Sequence, residues 1–323
     1  MKICDFNEIQ SSHDELLDKY GLNGMRTICR VLYEKYHDLI SLDGITTFVG
    51  YEYRKSHFNF IKSENIIKKN FDILFNKWNN TSATVVEVAD EYNIIASVLL
   101  RSFALYLAKD YSRPEDIVAH WFRESLDNPC SFKKLSLEIN TLAYSDPFSG
   151  HIAIYQDRIR GKACENYVRD FLDKNQIVYM DEERIRQEGY PVTPDFVFEL
   201  PMLLIRYRNG EVVLYRNHFI NFPDDLTKDD EVVIVSWLEC KGMFATEKCH
   251  KEYYRRQYNS YISCFGEGIV FYHYGFVEPE IFDKKVICID KMPKIKDFKP
   301  KINQNQSDNE SNPFILARFK DEH

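Results

Sequence analysis

The chain has little glycine and no glycine-rich nucleotide loop. It contains 12 glycines among 323 residues, and none forms the GxxxxGK[ST] pattern that cradles nucleotide phosphates. Its eight cysteines include no CxxC pair, and Cys249 with His250 has no second pair at zinc-ligand spacing. No apolar run is longer than residues 103–108, far short of the roughly 20 residues that span a bilayer. These absences argue against a P-loop nucleotide hydrolase, a zinc-ribbon protein and a membrane-spanning protein.

The charge balance shows no basic excess. The chain has 42 Lys and Arg residues against 50 Asp and Glu residues, which gives a formal net charge of −8. This balance argues against a sequence-independent DNA coat, although a local basic patch can still bind phosphates. The start of the chain lacks the basic and apolar regions of a signal peptide. We therefore expect the protein in the nucleus and the cytoplasm, not secreted and with reduced cysteines.

The pattern of apolar residues changes near residue 150. Before it, apolar residues recur three and four positions apart, which is typical of amphipathic helices. After it, one long helix is followed by alternating and continuous β-branched runs. We predict an α+β chain of two domains, a helical domain at 1–144 and an α/β domain with a mixed central sheet at 145–290. Residues 291–323 are predicted to be a polar, disordered tail, because the stretch 304–311 holds no apolar residue.

The helical half contains a weak internal repeat. Residues 15–22 resemble residues 87–94, and each is followed by an amphipathic helix. This layout is that of a helix-turn-helix, in which Gly or Asn takes the left-handed position of the turn. Two interpretations stay open: the second helix enters a DNA groove, or the helices only pack as a bundle. Helices are predicted near 14–20, 24–40, 60–78, 84–92, 96–110, 114–126 and 131–144.

A long helix is predicted over residues 151–174, between the two halves. Two apolar stripes run along it, the first with Tyr155, Ile159 and Ala163 and the second with Cys164, Val168 and Leu172. Two adjoining stripes predict a helix that is packed on two sides. Glu165 borders the second stripe, where it is either a solvated edge residue or a third acid directed at a metal.

Two predicted strands carry acids at their ends. Asp195 opens the apolar run 196–200, and Glu239 and Lys241 lie at the end of the apolar run 232–240. Because side chains two residues apart in a strand share a face, Glu239 and Lys241 point the same way. Two carboxylates around one point suit Mg²⁺, and the lysine can hold or deprotonate an attacking water. The two segments therefore predict a metal-dependent nuclease site.

Asn209 and Gly210 favour a type I′ turn, which predicts a hairpin over residues 203–216. A later helix over residues 246–261 carries Gln257 and Tyr261 on one face. A second face of this helix, which either binds flanking phosphates or is only solvated, holds Lys248, Lys251 and Arg255. Strands at residues 268–274 and 286–290 complete the predicted sheet.

Four motifs follow one another in a set order. A helix with an inward acid precedes Thr193-Pro194-Asp195, then Trp237-Leu238-Glu239-Cys240-Lys241, then a helix with Gln257-x-x-x-Tyr261. This order resembles the PD-(D/E)xK nuclease superfamily and, more closely, its TPD-motif branch, the codanin-interacting nuclease family. The resemblance covers residues 145–290 well and extends more loosely through the helical half. It implies a restriction-endonuclease-like fold for the second domain.

The resemblance implies roles for individual residues. The acids that it implies as ligands of Mg²⁺, or alternatively Mn²⁺, are Glu165, Asp195 and Glu239. Lys241 matches the catalytic lysine of the family. Gln257 and Tyr261 match a motif that supports the site and contacts the substrate backbone. Packing of the helix on the sheet is the alternative interpretation of Tyr261.

The resemblance also implies a reaction and partners. The reaction is the metal-dependent hydrolysis of phosphodiester bonds in nucleic acid, DNA more than RNA and branched forms included. The implied protein partner is codanin, a large helical scaffold, and a homodimer is also implied because many junction-cutting relatives act as dimers. The alternative is a nuclease-fold adaptor of codanin that serves chromatin or erythroid differentiation without strong catalysis.

The chain departs from the family pattern in one interval. Asp195 and Glu239 are 44 residues apart, which is longer than the resemblance leads us to expect. The hairpin within residues 201–231 accounts for the excess. We expect this insertion to lie beside the site, where it would restrict which nucleic acid enters.

Overall fold

The computed structural model describes residues 1–55, 57–123, 132–145, 148, 151–216, 226–278 and 285–297. The helices of the first half are α1 (Ile3–Tyr20), α2 (Met25–Tyr36), α3 (Leu42–Lys55), α4 (His57–Asn80), α5 (Val85–Glu91), α6 (Ala96–Leu107), α7 (Pro114–Arg123) and α8 (Lys133–Ser145). The second half contains α9 (His151–Lys174), β1 (Tyr179–Asp181), α10 (Glu182–Gln187), β2 (Phe196–Arg206), β3 (Val212–Arg216), β4 (Glu231–Lys241), α11 (Glu247–Tyr253), a π-helical turn (Tyr254–Tyr258), α12 (Asn259–Phe265), β5 (Gly268–Tyr272), β6 (Val286–Ile289) and β7 (Lys294–Asp297). Within these ranges, no helix combines the length and the apolar character that crossing a membrane requires.

The strands form one mixed sheet in the order β6-β5-β4-β2-β3-β7, and β1 pairs with β2 at the side. Strands β4, β5 and β6 run parallel, whereas β2 is antiparallel to β4 and β3 is antiparallel to β2. The crossover from β4 to β5 runs through α11 and α12. A helical first half followed by a mixed sheet confirms the predicted arrangement of secondary structure.

Strand β4 lies at the centre of this sheet and is covered on both faces. Cys164 and Val168 of α9 pack on one face in a cluster with Val235 of β4. Tyr258 and other residues of the crossover pack on the opposite face around Trp237. A strand between two layers is apolar throughout, which explains why the continuous run in β4 was recognisable from the sequence.

Helix α3 was not predicted, although it joins the two halves of the molecule. Its sequence includes Gly44 and Gly50, which lower helix propensity and weaken the pattern. Phe48 nevertheless packs in a core with α1 and α2, and that core also contains Phe244 and Val277 of the second half. The remaining helices of the first half, α4 to α8, surround a separate core. Burial of α3 against the sheet domain therefore outweighs its low propensity.

Other helix bounds also differ from the predicted ones. Helix α1 begins at Ile3 rather than near residue 14, α2 ends at Tyr36, and α4 is kinked at Asn70. Both predicted turns have a positive φ at the expected residue, +69° at Gly21 and +50° at Asn93. Helix α6 packs much of its surface in the core of the first half, as the bundle interpretation requires. DNA contact by this half stays a prediction.

The predicted packing of α9 on two sides is wrong for the described residues. Its second stripe is fully buried, with Cys164, Val168 and Leu172 each at 0% exposure. Its first stripe faces outward, because Tyr155 is 60% and Ile159 50% exposed. Spacing identifies an apolar stripe but does not say whether another element of the chain covers it.

The hairpin differs from the prediction in type and in place. Tyr207 and Glu211 close a three-residue loop in which Gly210 has a φ of +84°, so the turn is not type I′. The Asn209 side chain instead accepts a hydrogen bond of 2.9 Å from the Glu211 amide. The loop follows Arg206, which pairs with Glu231 at the opposite end of β4 from Glu239, roughly 26 Å away for eight residues at about 3.3 Å each. The expectation that this hairpin turn lies beside the site is therefore wrong.

The sheet continues beyond residue 290. Residues 294–297 form β7, which pairs in parallel with β3, so this part of the predicted tail is a strand. Its Lys294 and Asp297 form ion pairs with Glu211 and Arg216 of β3 and the preceding loop. Residues 298–323 of the predicted tail lie outside the described residues.

Candidate active site

The ends of β2 and β4 bring the two predicted acids together. Phe196 pairs with Leu238, so Asp195, just before β2, lies beside Glu239. The Asp195 amide donates a hydrogen bond of 3.2 Å to Glu239 Oε2. The Cys240 amide donates one of 2.7 Å to Asp195 Oδ2. Antiparallel pairing thus joins residues 44 positions apart in the sequence, and backbone amides fix both carboxylates.

Lys241 completes this cluster on the same face of β4 as Glu239. Its Nζ donates to Glu239 Oε1 at 2.6 Å and to Gln257 Oε1 at 3.1 Å. The same Nζ lies 4.6 Å from the centre of the Tyr253 ring, within the range of a cation–π contact. Glu239 is 5% exposed, so the ion pair is screened little by water. The structure therefore holds the lysine in one orientation by three partners.

The helical segment between β4 and β5, residues 247–265, is here called the crossover helix, and a local change of helix type within it positions Gln257. Thr246 caps α11, because its Oγ1 accepts a hydrogen bond of 3.1 Å from the Cys249 amide. Residues 254–258 then form the π-helical turn, which contains Gln257. Such turns are rare and occur often at functional sites, because they rotate the side chains that follow.

Burial raises the pKa of both carboxyls, and neighbouring negative charge adds to the rise. Burial, followed by the charge of Glu239, raises the pKa of Asp195 to about 8, while the Cys240 amide and Lys241 act in the opposite direction. Burial also raises the pKa of Glu239, against the influence of Lys241. Burial alone would lower the pKa of Lys241, but Glu239 outweighs it and the pKa lies above its usual value. Near neutral pH the site thus combines a charged Lys241, paired with Glu239, with an Asp195 carboxyl that retains a proton unless a further cation compensates its charge.

Glu165 is the third acid of the predicted set. It lies on α9, where its Oε2 accepts a hydrogen bond of 3.0 Å from Lys162 Nζ. Its charge contributes to the raised pKa of Asp195, which burial dominates, so the two carboxyls lie within electrostatic range. Among the described residues, however, no three or more His, Cys, Asp or Glu side chains are close enough to hold one metal ion.

Asp195 and Glu239 alone still fit a hard cation. Both are oxygen donors and they are adjacent, and burial, the main cause of their raised pKa values, disfavours two negative charges there unless a cation compensates them. Mg²⁺ is commonly bound by one or two carboxylates together with water and substrate oxygens. The donor set of the cluster therefore suits Mg²⁺ or Mn²⁺, and a role of Glu165 as a further ligand stays a prediction.

Tyr261 lies at the border of the site and is 6% exposed. Its hydroxyl is 3.5 Å from the Thr193 carbonyl oxygen, and its ring packs edge-on against Trp237. Packing and support of the site, the two interpretations of Tyr261, are thus both compatible with its position. Contact with a substrate stays a prediction.

Two residues of this cluster were missed in the sequence. Tyr253 precedes Gln257 by four residues, a spacing that should have marked it as a neighbour on the same helix face. Glu182 of α10 accepts a hydrogen bond of 3.4 Å from Thr193 Oγ1, and its charge adds to the raised pKa of Glu239, which burial dominates. Only the pairing of β1 with β2 brings Glu182 to this end of the sheet, so no sequence spacing indicates it.

The predicted phosphate-binding residues of the crossover helix are on the surface. Lys251 pairs with Glu247, and Lys248 Nζ lies 3.8 Å from Glu52 Oε2 of α3. Arg255 is exposed. Two of the three cations are therefore partly neutralised by acids, and their role in binding nucleic acid stays a prediction.

Asp195→Asn should stabilise the metal-free protein, and more so at higher pH. Folded Asp195 retains a proton up to about pH 8, whereas an unfolded Asp loses it near 3.8. Wild-type stability therefore falls as the pH rises through that window, and an asparagine, which does not titrate, avoids the loss. Thermal unfolding in EDTA between about pH 5 and pH 9 measures the effect. Asp170→Asn on the exposed face of α9 is the control, and a stabilisation by Asp195→Asn that is independent of pH would contradict the prediction.

Comparison with known proteins places the site in a matched region. A family model described as "Protein of unknown function TPD sequence-motif" matches residues 131–292, just over half of the chain. CDAN1-interacting nuclease 1 of Xenopus laevis is 28% identical over 144 residues, which cover 45% of this chain and 39% of that protein. The protein of the same name from Mus musculus is 31% identical over 118 residues, 36% of this chain and 33% of the relative. That from Bos taurus is 24% identical over 203 residues, 62% of each chain.

The matched region contains Asp195, Glu239, Lys241 and Gln257. The alignments of this chain with these relatives span less than two thirds of the length of each relative. No solved structure matches the chain significantly. The chain belongs to the TPD-motif family, the family of the codanin-interacting nucleases.

Proposed function

We propose that this protein is a metal-dependent nuclease that hydrolyses phosphodiester bonds of nucleic acid, DNA rather than RNA. The observation that carries the proposal is the pair of the half-buried Asp195 and the buried Glu239, with Lys241 bonded to Glu239. Two buried like charges destabilise a fold unless a cation compensates them, so they indicate a cation-dependent task. The name of the relatives, which includes the word nuclease, supports the same conclusion.

The proposed fold of the second domain is restriction-endonuclease-like. Its support is the placement of the acids on neighbouring central strands, with α9 on one face of the sheet and the crossover helix on the other. In this arrangement a substrate would reach the acids at the strand ends, where Asp195 is half-buried. The polypeptide then supplies ligands from strands, which hold them more rigidly than loops.

In the proposed mechanism Asp195 and Glu239 would hold Mg²⁺ or Mn²⁺, with Glu165 as the predicted further ligand, and the bound ion would supply activation of water and polarisation of the phosphate. Lys241 is protonated at neutral pH, because Glu239 holds its pKa high against the effect of burial. It therefore donates a hydrogen bond and positive charge to the phosphate and does not accept the proton of the attacking water. Gln257 orients the ammonium, and the Cys240 amide fixes the Asp195 carboxylate.

We also propose codanin as the protein partner. The relatives are named as interacting with CDAN1, and the matched residues include the whole sheet up to residue 292. The exposed stripe of α9 with Tyr155 and Ile159 is available for protein contact, including contact with a second copy. A nuclear and cytoplasmic location and a homodimer stay predictions.

The alternative function is that of an adaptor that binds codanin without cutting nucleic acid. Its support is that, among the described residues, no three His, Cys, Asp or Glu side chains form a group that could hold a metal ion. In this case Asp195 would retain a proton, as its raised pKa allows, and Glu239 would stay paired with Lys241.

Cleavage of a substrate panel distinguishes the two functions. The full chain is incubated with labelled single-stranded, duplex, flap and four-way DNA and with RNA, in Mg²⁺, Mn²⁺ or EDTA. We expect cutting of at least one DNA that requires metal and disappears in Asp195→Asn, while Asp170→Asn on the exposed face of α9 cuts normally. Folded protein that cuts no substrate but captures codanin would support the adaptor. Cutting that persists in EDTA or in Asp195→Asn would refute the proposed site.

A further inference from the structure

Helix α3 of the helical half borders the candidate active site. The Tyr51 hydroxyl donates a hydrogen bond of 3.0 Å to Glu252 on α11. The Phe244 amide, in the loop after β4, donates one of 2.9 Å to Thr47 Oγ1. Arg54 reaches the opposite side and donates one of 2.9 Å to Asp157 Oδ2 on α9. Helix α3 thus connects the two helices that carry Glu165 and Gln257.

Arg54 and Arg160 share one carboxylate. Asp157 pairs with both guanidinium groups, which leaves the three side chains with a net charge of +1. Two guanidinium groups present ten N–H donors, far more than one carboxylate can accept. The Arg160 Nε is buried and has no hydrogen-bond partner in the part of the chain that the structure describes. The cluster therefore has unused donors and unused positive charge.

The arginine cluster is close to the end of β4, because the backbone of Arg160 packs against Gly242, the residue after Lys241. A Cβ atom at Gly242 would be 2.9 Å from the Arg160 carbonyl oxygen, so glycine permits α9 to approach the end of β4. Burial raises the pKa of the Tyr253 hydroxyl, and the charges of Lys241 and Arg54 both act against that rise. Because the Tyr253 ring contacts Lys241, Arg54 lies within electrostatic range of the catalytic end of β4.

We infer that Arg54, Asp157 and Arg160 form a subsite for a backbone phosphate next to the phosphate that is cut. The inference rests on the proposed nuclease function, because its ligand is the nucleic acid of the same site. Guanidinium groups match phosphate oxygens with paired hydrogen bonds, and they do so without regard to base sequence. Arg54, whose side chain is 44% exposed, turns from Asp157 to the phosphate. Arg160 keeps Asp157 in place during this exchange.

The subsite gives the helical half a role in substrate binding. The basic residues predicted from the sequence lie on the crossover helix, whereas the subsite combines a residue of α3 with residues of α9. A nucleic acid bound there would contact both halves of the molecule at once. Base-specific contacts by α6 are not needed for such binding.

Binding of DNA without cleavage tests the subsite. The full chain carries Asp195→Asn in every sample, and EDTA is present, so that no cutting occurs. Fluorescence anisotropy measures the binding of labelled single-stranded and duplex DNA, about 20 nucleotides or base pairs long, at several salt concentrations. Loss of one phosphate contact should weaken binding and lower the slope of log Kd against log salt by about 1. We expect this change for Arg54→Ala. Arg160→Ala removes the second partner of Asp157, so Asp157 holds Arg54 more firmly and binding should weaken without the loss of a phosphate contact.

Two further variants separate a phosphate site from a structural ion bridge. Arg208→Ala removes a similar exposed arginine that pairs with Asp229 at the far end of the sheet, and it should leave the Kd and the slope unchanged. Asp157→Asn removes the carboxylate that competes with phosphate, so it should tighten binding about threefold or more. A structural bridge predicts unchanged or weaker binding for Asp157→Asn. That result would overturn the inference even if the alanine variants unfold.

The outcomes for the subsite and for the nuclease differ. DNA binding with the expected variant effects, but no cutting in the substrate panel, would leave the subsite and refute the nuclease. Cutting by wild type together with unchanged binding by folded Arg54→Ala and Arg160→Ala would refute only the subsite. Failure of the parent chain to bind either DNA would refute the subsite directly.

Discussion

Lys241→Met should lower the single-turnover rate of cleavage about a thousandfold, the size of effect seen when one charge-stabilising donor is removed from an active site. The variant loses the ammonium that bonds to Glu239 and Gln257. Methionine has a similar length, so the loss reports charge and not the volume of the side chain. Cleavage of the preferred substrate under enzyme excess measures the rate. Gln257→Glu retains an acceptor for Lys241 and should lose much less activity.

Lys241→Met should also lower the stability of the protein, and the loss should depend on pH. Without Lys241, Glu239 is a buried acid with no cation, and breaking such a pair costs about 3–5 kcal/mol when the remaining group stays charged. Glu239 avoids this cost by binding a proton, so the loss should be larger at high pH than at low pH. Chemical unfolding at about pH 5 and pH 8 measures it.

A double variant separates the two effects. Lys241→Met with Glu239→Gln leaves no buried charge, so stability should return while activity stays lost. Recovery of cleavage in the double variant would show that Lys241 acts only by neutralising Glu239. An equal loss of stability in Lys241→Met, relative to wild type, at both pH values would contradict the assigned ion pair.

Gly268→Ala should destabilise the protein by about 3 kcal/mol or more, at the upper end of overpacking effects. Gly268 begins β5 and pairs with Trp237 of β4. A Cβ atom there would lie 2.1 Å from Cε2 of the Trp237 ring. That ring is fully buried, and its Nε1 is fixed by a hydrogen bond of 2.8 Å to the Gly266 carbonyl oxygen. The ring cannot move away without disturbing the core between the sheet and the crossover helix.

Urea unfolding compares this variant with a matched glycine. Gly161 lies on α9, and a Cβ atom there meets nothing within 4 Å. Gly161→Ala should therefore stabilise by about 0.5–1 kcal/mol through helix propensity alone. Adding Trp237→Leu to Gly268→Ala should recover part of the lost stability. A loss below about 1 kcal/mol in Gly268→Ala would contradict the close contact.

The strands of the site were predictable because their physical signal is local. The continuous apolar run of β4 permits little but a covered central strand, and the i, i+2 rule then places Glu239 and Lys241 on one face. Their bonds to each other and to Gln257 agree with that expectation. The neighbouring position of Asp195 was a hypothesis from the acids at the two strand ends, and the family resemblance strengthened it, since neither segment specifies the strand order.

Other features depend on contacts between distant segments. Helix α3 has low helix propensity and is stabilised by packing in a core with Phe244, which is distant from it in the sequence. Glu182 reaches the site only through the pairing of β1 with β2. Tyr155 and Ile159 show the opposite case, an apolar stripe with correct helical spacing that no described element covers. Periodicity shows which face of a helix is apolar, whereas the tertiary structure determines whether another element covers that face.

The core that α3 shares with the sheet domain affects how the chain is made. Thr47 and its partner Phe244 are 197 positions apart. At about 5–20 residues per second, a ribosome completes α3 roughly 10–40 s before Phe244 emerges. Throughout that interval the apolar face with Ile45, Phe48 and Val49 lacks its partner and is open to chaperones. The first helices to be synthesised are therefore among the last to complete their core.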